Sequence, residues 1–118
     1  IKQLDFDEND TLSAIVATLC GADLLVMLTD VEGLYDGDPK NPDSRLIREV
    51  DRITSDIISK AQGSGSSVGT GGMLTKIEAA QIATEAGIDT VVMNGAQPED
   101  IYRLLDGRQT GTYFKAKA

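Results

Sequence analysis

The chain has 118 residues, 41% of them hydrophobic and only 4% aromatic, with a formal net charge of −8. That length accommodates one core and excludes two, and a core of Ile, Leu, Val and Ala suits parallel α/β packing better than a sandwich built on large rings. Residues 1–59 hold 13 acidic and 5 basic side chains and the remainder 6 of each, a balance that argues against nucleic acid as a partner.

No apolar run approaches about 18 residues and no basic stretch leads into a hydrophobic one, so neither a membrane span nor a signal peptide is expected. The expected location is the cytoplasm. The sequence opens at Ile1 without an initiator Met, which suggests an excised or processed piece. Cys20, the single cysteine, has no internal disulfide partner; lying within an apolar helical pattern, it reads as a small buried residue.

Ile1, Leu4 and Phe6 alternate loosely, as in a weak edge strand. Asn9 or Asp10 can cap the next segment, where Leu12, Ile15, Val16 and Leu19 fall on one helical face up to Gly21. Leu24-Leu25-Val26-Met27-Leu28 is a continuous apolar run, the pattern of a strand covered on both faces. Ligands of open α/β sheets bind outside the carboxyl ends of strands, so Thr29 and Asp30 are site candidates by position. The competing reading is that Asp30 caps a turn with Gly33. Val31 to Ser44, with Gly33, Gly37, Pro39 and Pro42, is a turn-rich connection. Its Asp36, Asp38, Asn41 and Asp43 lack the spacing of a calcium loop.

Leu46 to Val50 is predicted as a short strand and Ile53 to Ala61 as a short helix, with Asp51 or Thr54 near its start. Five of the twelve glycines then fall between Gly63 and Gly72, and the run opens directly into a helix in which Met73, Ile77, Ala80 and Ala83 share a face. A loop of this kind presents backbone N–H groups to an anion at a helix N-terminus, although Gly/Ser runs also serve as flexible linkers. Lys76 sits near the first helical turn, where the dipole opposes a cation unless an anion is bound. The residues before Lys76 are not those of a Walker loop, and Leu74 stands where the dinucleotide fingerprint needs glycine. Asp89 to Asn94 is a second buried-type strand, Pro98 to Leu105 a helix and Thr110 to Phe114 a last strand. The order predicts one α/β domain over residues 1–118: a mostly parallel sheet flanked by helices in three layers.

Three motifs in order, Asn9-Asp10-Thr11-Leu12-Ser13-Ala14, Leu28-Thr29-Asp30-Val31-Glu32-Gly33-Leu34-Tyr35 with Asp38-Pro39, and Gly69-Thr70-Gly71-Gly72-Met73-Leu74-Thr75-Lys76, resemble the glutamate 5-kinases of the amino acid kinase family. Gly111-Thr112-Tyr113-Phe114 is similar to the segment that closes that kinase domain. The resemblance implies phosphoryl transfer from ATP, with Mg²⁺, to the γ-carboxylate of L-glutamate, the first step of proline synthesis. By matching position, Thr29, Asp30, Gly33 and Tyr35 would line adenine and ribose. Thr70, Gly71, Gly72, Met73, Thr75 and Lys76 would cover the phosphates, Lys76 also neutralising charge on the transferred group. Asp10 would orient catalytic lysines and Asn9 would help hold glutamate. Where the family has Gly-Asp before Asn-Asp, this chain has Asp7-Glu8. The family's phosphate-binding first strand and most of its amino-acid lobe would lie upstream of Ile1. The chain therefore resembles the nucleotide-binding half, with little turnover expected of it alone; partner chains or a homo-oligomer formed through an exposed sheet edge are the ways such a half would be completed.

Overall fold

The computed structural model describes residues 10–38, 40–62, 72–96, 99–108 and 110–117. The expected edge strand over residues 1–6 and most of the glycine-rich run lie outside the described residues.

The apolar periodicity after residue 10 produces helix α1 (Asp10–Cys20), and the continuous run that follows produces strand β1 (Leu24–Thr29). A long connection leads to strand β2 (Glu49–Val50) and helix α2 (Ser55–Gln62). The second strong helical pattern becomes α3 (Gly72–Glu85), followed by β3 (Asp89–Asn94), α4 (Glu99–Leu105) and β4 (Thr112–Phe114). Helices α1 and α3 are each followed by a glycine in left-handed backbone, Gly21 and Gly87, as expected of residues that lack a Cβ. The strand expected from Leu46 is shorter than predicted. Ile47 N–H donates to Leu34 O at 2.8 Å and Leu46 bridges Tyr35, so these residues bond to the preceding loop instead of the sheet.

The four strands lie in the order β1-β3-β4-β2. β1 and β3 are parallel, with Met27 opposite Val92, and β2 and β4 are parallel, with Val50 opposite Phe114. β3 and β4 are antiparallel, which makes the sheet mixed, with two of its three pairings parallel. Successive side chains alternate between faces. Met27, Val92, Val50 and Phe114 therefore join Ala14 and Ala17 of α1, Ala61 of α2, and Met73, Ile77, Ala79, Ala80 and Ala83 of α3 in one core. Val91 and Met93 are buried on the opposite face.

Two expectations for α1 are corrected. The stripe of larger apolar residues faces outward, with Ile15 43%, Val16 48% and Leu19 81% exposed, whereas Ala14 and Ala17 are buried. The reason lies in α3, whose inner face is lined by Ala79, Ala80 and Ala83. Two alanine surfaces allow close helix-to-helix approach, and leucine-sized side chains at that seam would hold the helices apart. The same rotation leaves Cys20 exposed instead of buried.

Candidate functional site

The site is assembled by chain direction. α1 passes into β1 across residues 21–23 and α3 into β3 across residues 86–88, so each helix runs back along the strand that follows it. The 14 residues of α3 span about 21 Å and the six of β3 about 20 Å, which places the N-terminus of α3 level with the carboxyl end of β3. β1 is parallel to β3 and in register through Thr29 and Asn94, so both strands end at this edge of the sheet. The N-terminus of α1 lies toward the same edge. Two helix N-termini, each with unsatisfied N–H groups and a partial positive charge, thus converge on the edge where α/β sheets bind ligands.

Several sequence candidates fall at that edge. Asp10 is the first residue of α1, and Thr29 is the last of β1, followed by an exposed Asp30. Asp30 Oδ1 accepts the Thr29 hydroxyl at 3.4 Å, a side-chain pairing and not the turn cap with Gly33. Gly72 opens α3, and the first turn of that helix carries no acidic side chain to offset its positive end. Thr75 Oγ1 donates to Gly72 O at 3.0 Å, within this turn. Lys76, one turn in, is only 5% exposed. The Met73 side chain belongs to the core, which leaves its main-chain amide as the group it can offer a ligand. Asn9, Thr70 and Gly71 lie outside the described residues.

Gly33 and Tyr35 stand further along the β1–β2 connection. Gly33 is buried against Thr112, and Tyr35 is half-buried beside Leu46. Polar side chains beyond them are occupied with turns: Asp38 Oδ1 accepts from Lys40 N at 2.9 Å, Asn41 Oδ1 from Asp43 N at 3.0 Å and Asp36 Oδ1 from Arg45 N at 2.8 Å. Among the described residues no group of three His, Cys, Asp or Glu side chains is arranged to hold a metal ion.

Two residues at this edge escaped the sequence reading. Asn94 Nδ2 donates to Glu32 Oε1 at 3.3 Å, and Asn94 Oδ1 accepts from Ala96 N at 2.7 Å. Gly95 N–H donates to Thr29 O at 2.9 Å, so the ends of β1 and β3 are tied together. The rule that selected Thr29 and Asp30 would also have selected Asn94, at the carboxyl end of the second buried-type strand. Glu32 carries no such signal.

A mixed four-stranded sheet flanked by helices, with the parallel β1 and β3 ending at one edge, defines an α/β domain. Residues 3–94 match the model of the amino acid kinase family, and the chain belongs to that family. It is 50% identical over 115 residues to a glutamate 5-kinase of Clostridium perfringens, covering 97% of this chain and 43% of that protein. It is 52% identical over 117 residues to a glutamate 5-kinase of Deinococcus radiodurans, covering 98% of this chain and 32% of that one. The chain thus spans less than half the length of these curated relatives. Among solved structures, a uridylate kinase from Archaeoglobus fulgidus superposes with a TM-score of 0.65 at 23% identity, over 89% of this chain and 45% of the other. A carbamate kinase from Giardia lamblia bound to AMP-PNP gives 0.64 at 22% identity, over 92% and 32%. At such identities the structures establish the shared fold. No helix among the described residues is long and apolar enough to cross a membrane.

Proposed function

We propose that residues 1–118 form the ATP-binding half of a glutamate 5-kinase domain, a cytoplasmic enzyme that transfers the γ-phosphoryl group of ATP to the γ-carboxylate of L-glutamate. The feature that carries this reading is the placement of the α1 and α3 N-termini, inferred from chain direction and element length, toward the carboxyl ends of β1 and β3. The half-length match to glutamate 5-kinases at 50% identity supports the choice of substrate.

In this reading Thr29, Asp30, Gly33 and Tyr35 line adenine and ribose. Gly72, Met73 and Thr75 offer main-chain amides to the phosphates, together with Thr70 and Gly71, and Lys76 offsets charge that grows on the transferred group. Asp10 orients the lysines and Asn9 helps to hold glutamate. The acceptor carboxylate is ionised at neutral pH, so no general base is required. Mg²⁺, bound mainly through phosphate oxygens and water, would supply further charge neutralisation.

Calorimetric titration of the chain with MgATP tests the nucleotide reading. One binding event is expected, weakened about tenfold or more by Lys76→Ala, the size of a lost charge-assisted hydrogen bond. Binding that survives both Lys76→Ala and Gly71→Val unchanged counts against the site. The substrate is tested by grafting the chain in place of the matching region of the C. perfringens relative. ADP release that depends on L-glutamate is the expected result, and ADP release with other acceptors but not glutamate overturns the assignment. The 118-residue chain alone should show little or no turnover.

A further inference from the structure

We propose that Thr112, on β4, is a positioning residue for the nucleotide: it sets the place of the loop after β1 and so governs affinity for the adenosine portion. The inference rests on the reading that Thr29 to Tyr35 line adenine and ribose.

The Thr112 side chain is fully buried. Its Oγ1 accepts from Leu34 N at 2.9 Å and donates to Ile47 O at 2.6 Å, so one hydroxyl joins segments 78 and 65 residues away in sequence. A hydroxyl has one proton and two lone pairs, and these two bonds use the proton and one lone pair. Ile47 N–H in turn donates to Leu34 O at 2.8 Å, which closes a ring of hydrogen bonds among Leu34, Ile47 and Thr112. Gly33 makes the approach possible, because a Cβ there would lie 2.6 Å from Thr112 Oγ1 and 3.1 Å from Thr112 N.

Among its described residues, the connection from Thr29 to Glu49 has no strand of its own beyond the Tyr35–Leu46 bridge. β4 lies inside the sheet, flanked by β3 and β2, with Thr112 opposite Val92. A loop of little regular structure is therefore held by a side chain on a rigid interior strand, the arrangement that keeps a binding loop in one geometry. The ring ends at Leu34, between Gly33 and Tyr35. Losing it would move the groups assigned to adenosine and leave the first turn of α3, assigned to the phosphates, in place.

The test compares two probes on the 118-residue chain by calorimetry: MgATP, and magnesium tripolyphosphate, which lacks adenosine. Thr112→Val keeps the side-chain shape and removes the hydroxyl. It should weaken MgATP binding by about tenfold, as expected for the loss of a buried hydrogen-bonded position. Tripolyphosphate binding should change by less than about twofold, and Thr112→Ser should restore MgATP binding to within about threefold. Should Thr112→Val fail to fold by circular dichroism, Thr112→Ala, which also removes the hydroxyl, should give the same selective loss. Equal weakening of both probes, no weakening of either, or failure of Thr112→Ser to restore binding overturns the inference and leaves the nucleotide reading standing. If the unsubstituted chain binds tripolyphosphate but not MgATP, or neither probe, the nucleotide reading fails and this inference fails with it.

Discussion

Replacing Gly111 by alanine sets local backbone geometry against an interior strand. Gly111 has φ 65, left-handed backbone that costs an L residue about 1–2 kcal/mol. Its added Cβ would lie 2.2 Å from Val92 O, 2.8 Å from Met93 Cβ and 2.9 Å from Met93 Cα. Those atoms belong to β3, which is paired to β1 on one side and to β4 on the other and cannot withdraw without breaking a ladder. Overpacking against such a wall costs roughly 1–3 kcal/mol more. The sum, about 2–5 kcal/mol, is a large share of the 5–15 kcal/mol typical of a domain. Gly87→Ala is the control, because Gly87 has φ 87 but nothing within 4 Å of the added Cβ. It should lose only about 1–2 kcal/mol. Urea unfolding followed by far-ultraviolet circular dichroism measures both, and at a slope of roughly 2 kcal/mol per molar urea the Gly111→Ala midpoint should fall about 1–2.5 M below that of the unsubstituted chain. A midpoint for Gly111→Ala no lower than that for Gly87→Ala would refute the reasoning.

At the α1–α3 seam, Ala14→Leu should destabilise by roughly 1–3 kcal/mol by overpacking, while Leu19→Lys should change stability by no more than about 0.5 kcal/mol; thermal unfolding of both variants decides whether alanine or leucine faces the core. Phe114→Ala, which removes a fully buried ring between β2 and β3, should cost about 3–5 kcal/mol in urea unfolding. Tyr113 donates its hydroxyl proton to Asp89, and this hydrogen bond, with smaller contributions from burial and the negative charges of Asp89 and Glu49, pushes the phenol up to about 12. The folded state then holds its proton between pH 10 and 12 while the unfolded chain releases it, so stability falls as pH rises through that window. Tyr113→Phe should make the stability loss from pH 10 to 12 shallower, measured by urea midpoints; an unchanged slope would remove Tyr113 from the account.

Helices and strands of strong period were readable from the chain, because their signals are local. β3 was expected over Asp89 to Asn94 and forms there, and Met73, Ile77, Ala80 and Ala83 of α3 are all buried as their spacing implied. The short strand expected from Leu46 shrank because Ile47 found its partner in Leu34, a contact no local pattern announces. Of the candidate site, Thr29, Asp30, Gly72 and Lys76 were selected from strand ends and a helix start, which the linear pattern marks, and Asp10 from the family resemblance. Asn94 carried the same mark and was passed over. Thr112 carried none, since its bonding partners lie 78 and 65 residues away.

Residue order was sufficient to specify which segments coil and which extend, and where α1 and α3 stop, since propensity, capping and glycine punctuation act over a few neighbours. The rotation of α1 was settled only by packing: spacing groups Ile15, Val16 and Leu19 on one stripe, but the alanine face of α3 selects Ala14 and Ala17 as the inward side. The gathering of two helix starts and two strand ends at one sheet edge likewise depends on the parallel register of β1 with β3. That register is a property of the folded sheet, because the two strands are brought together from opposite ends of a long intervening segment.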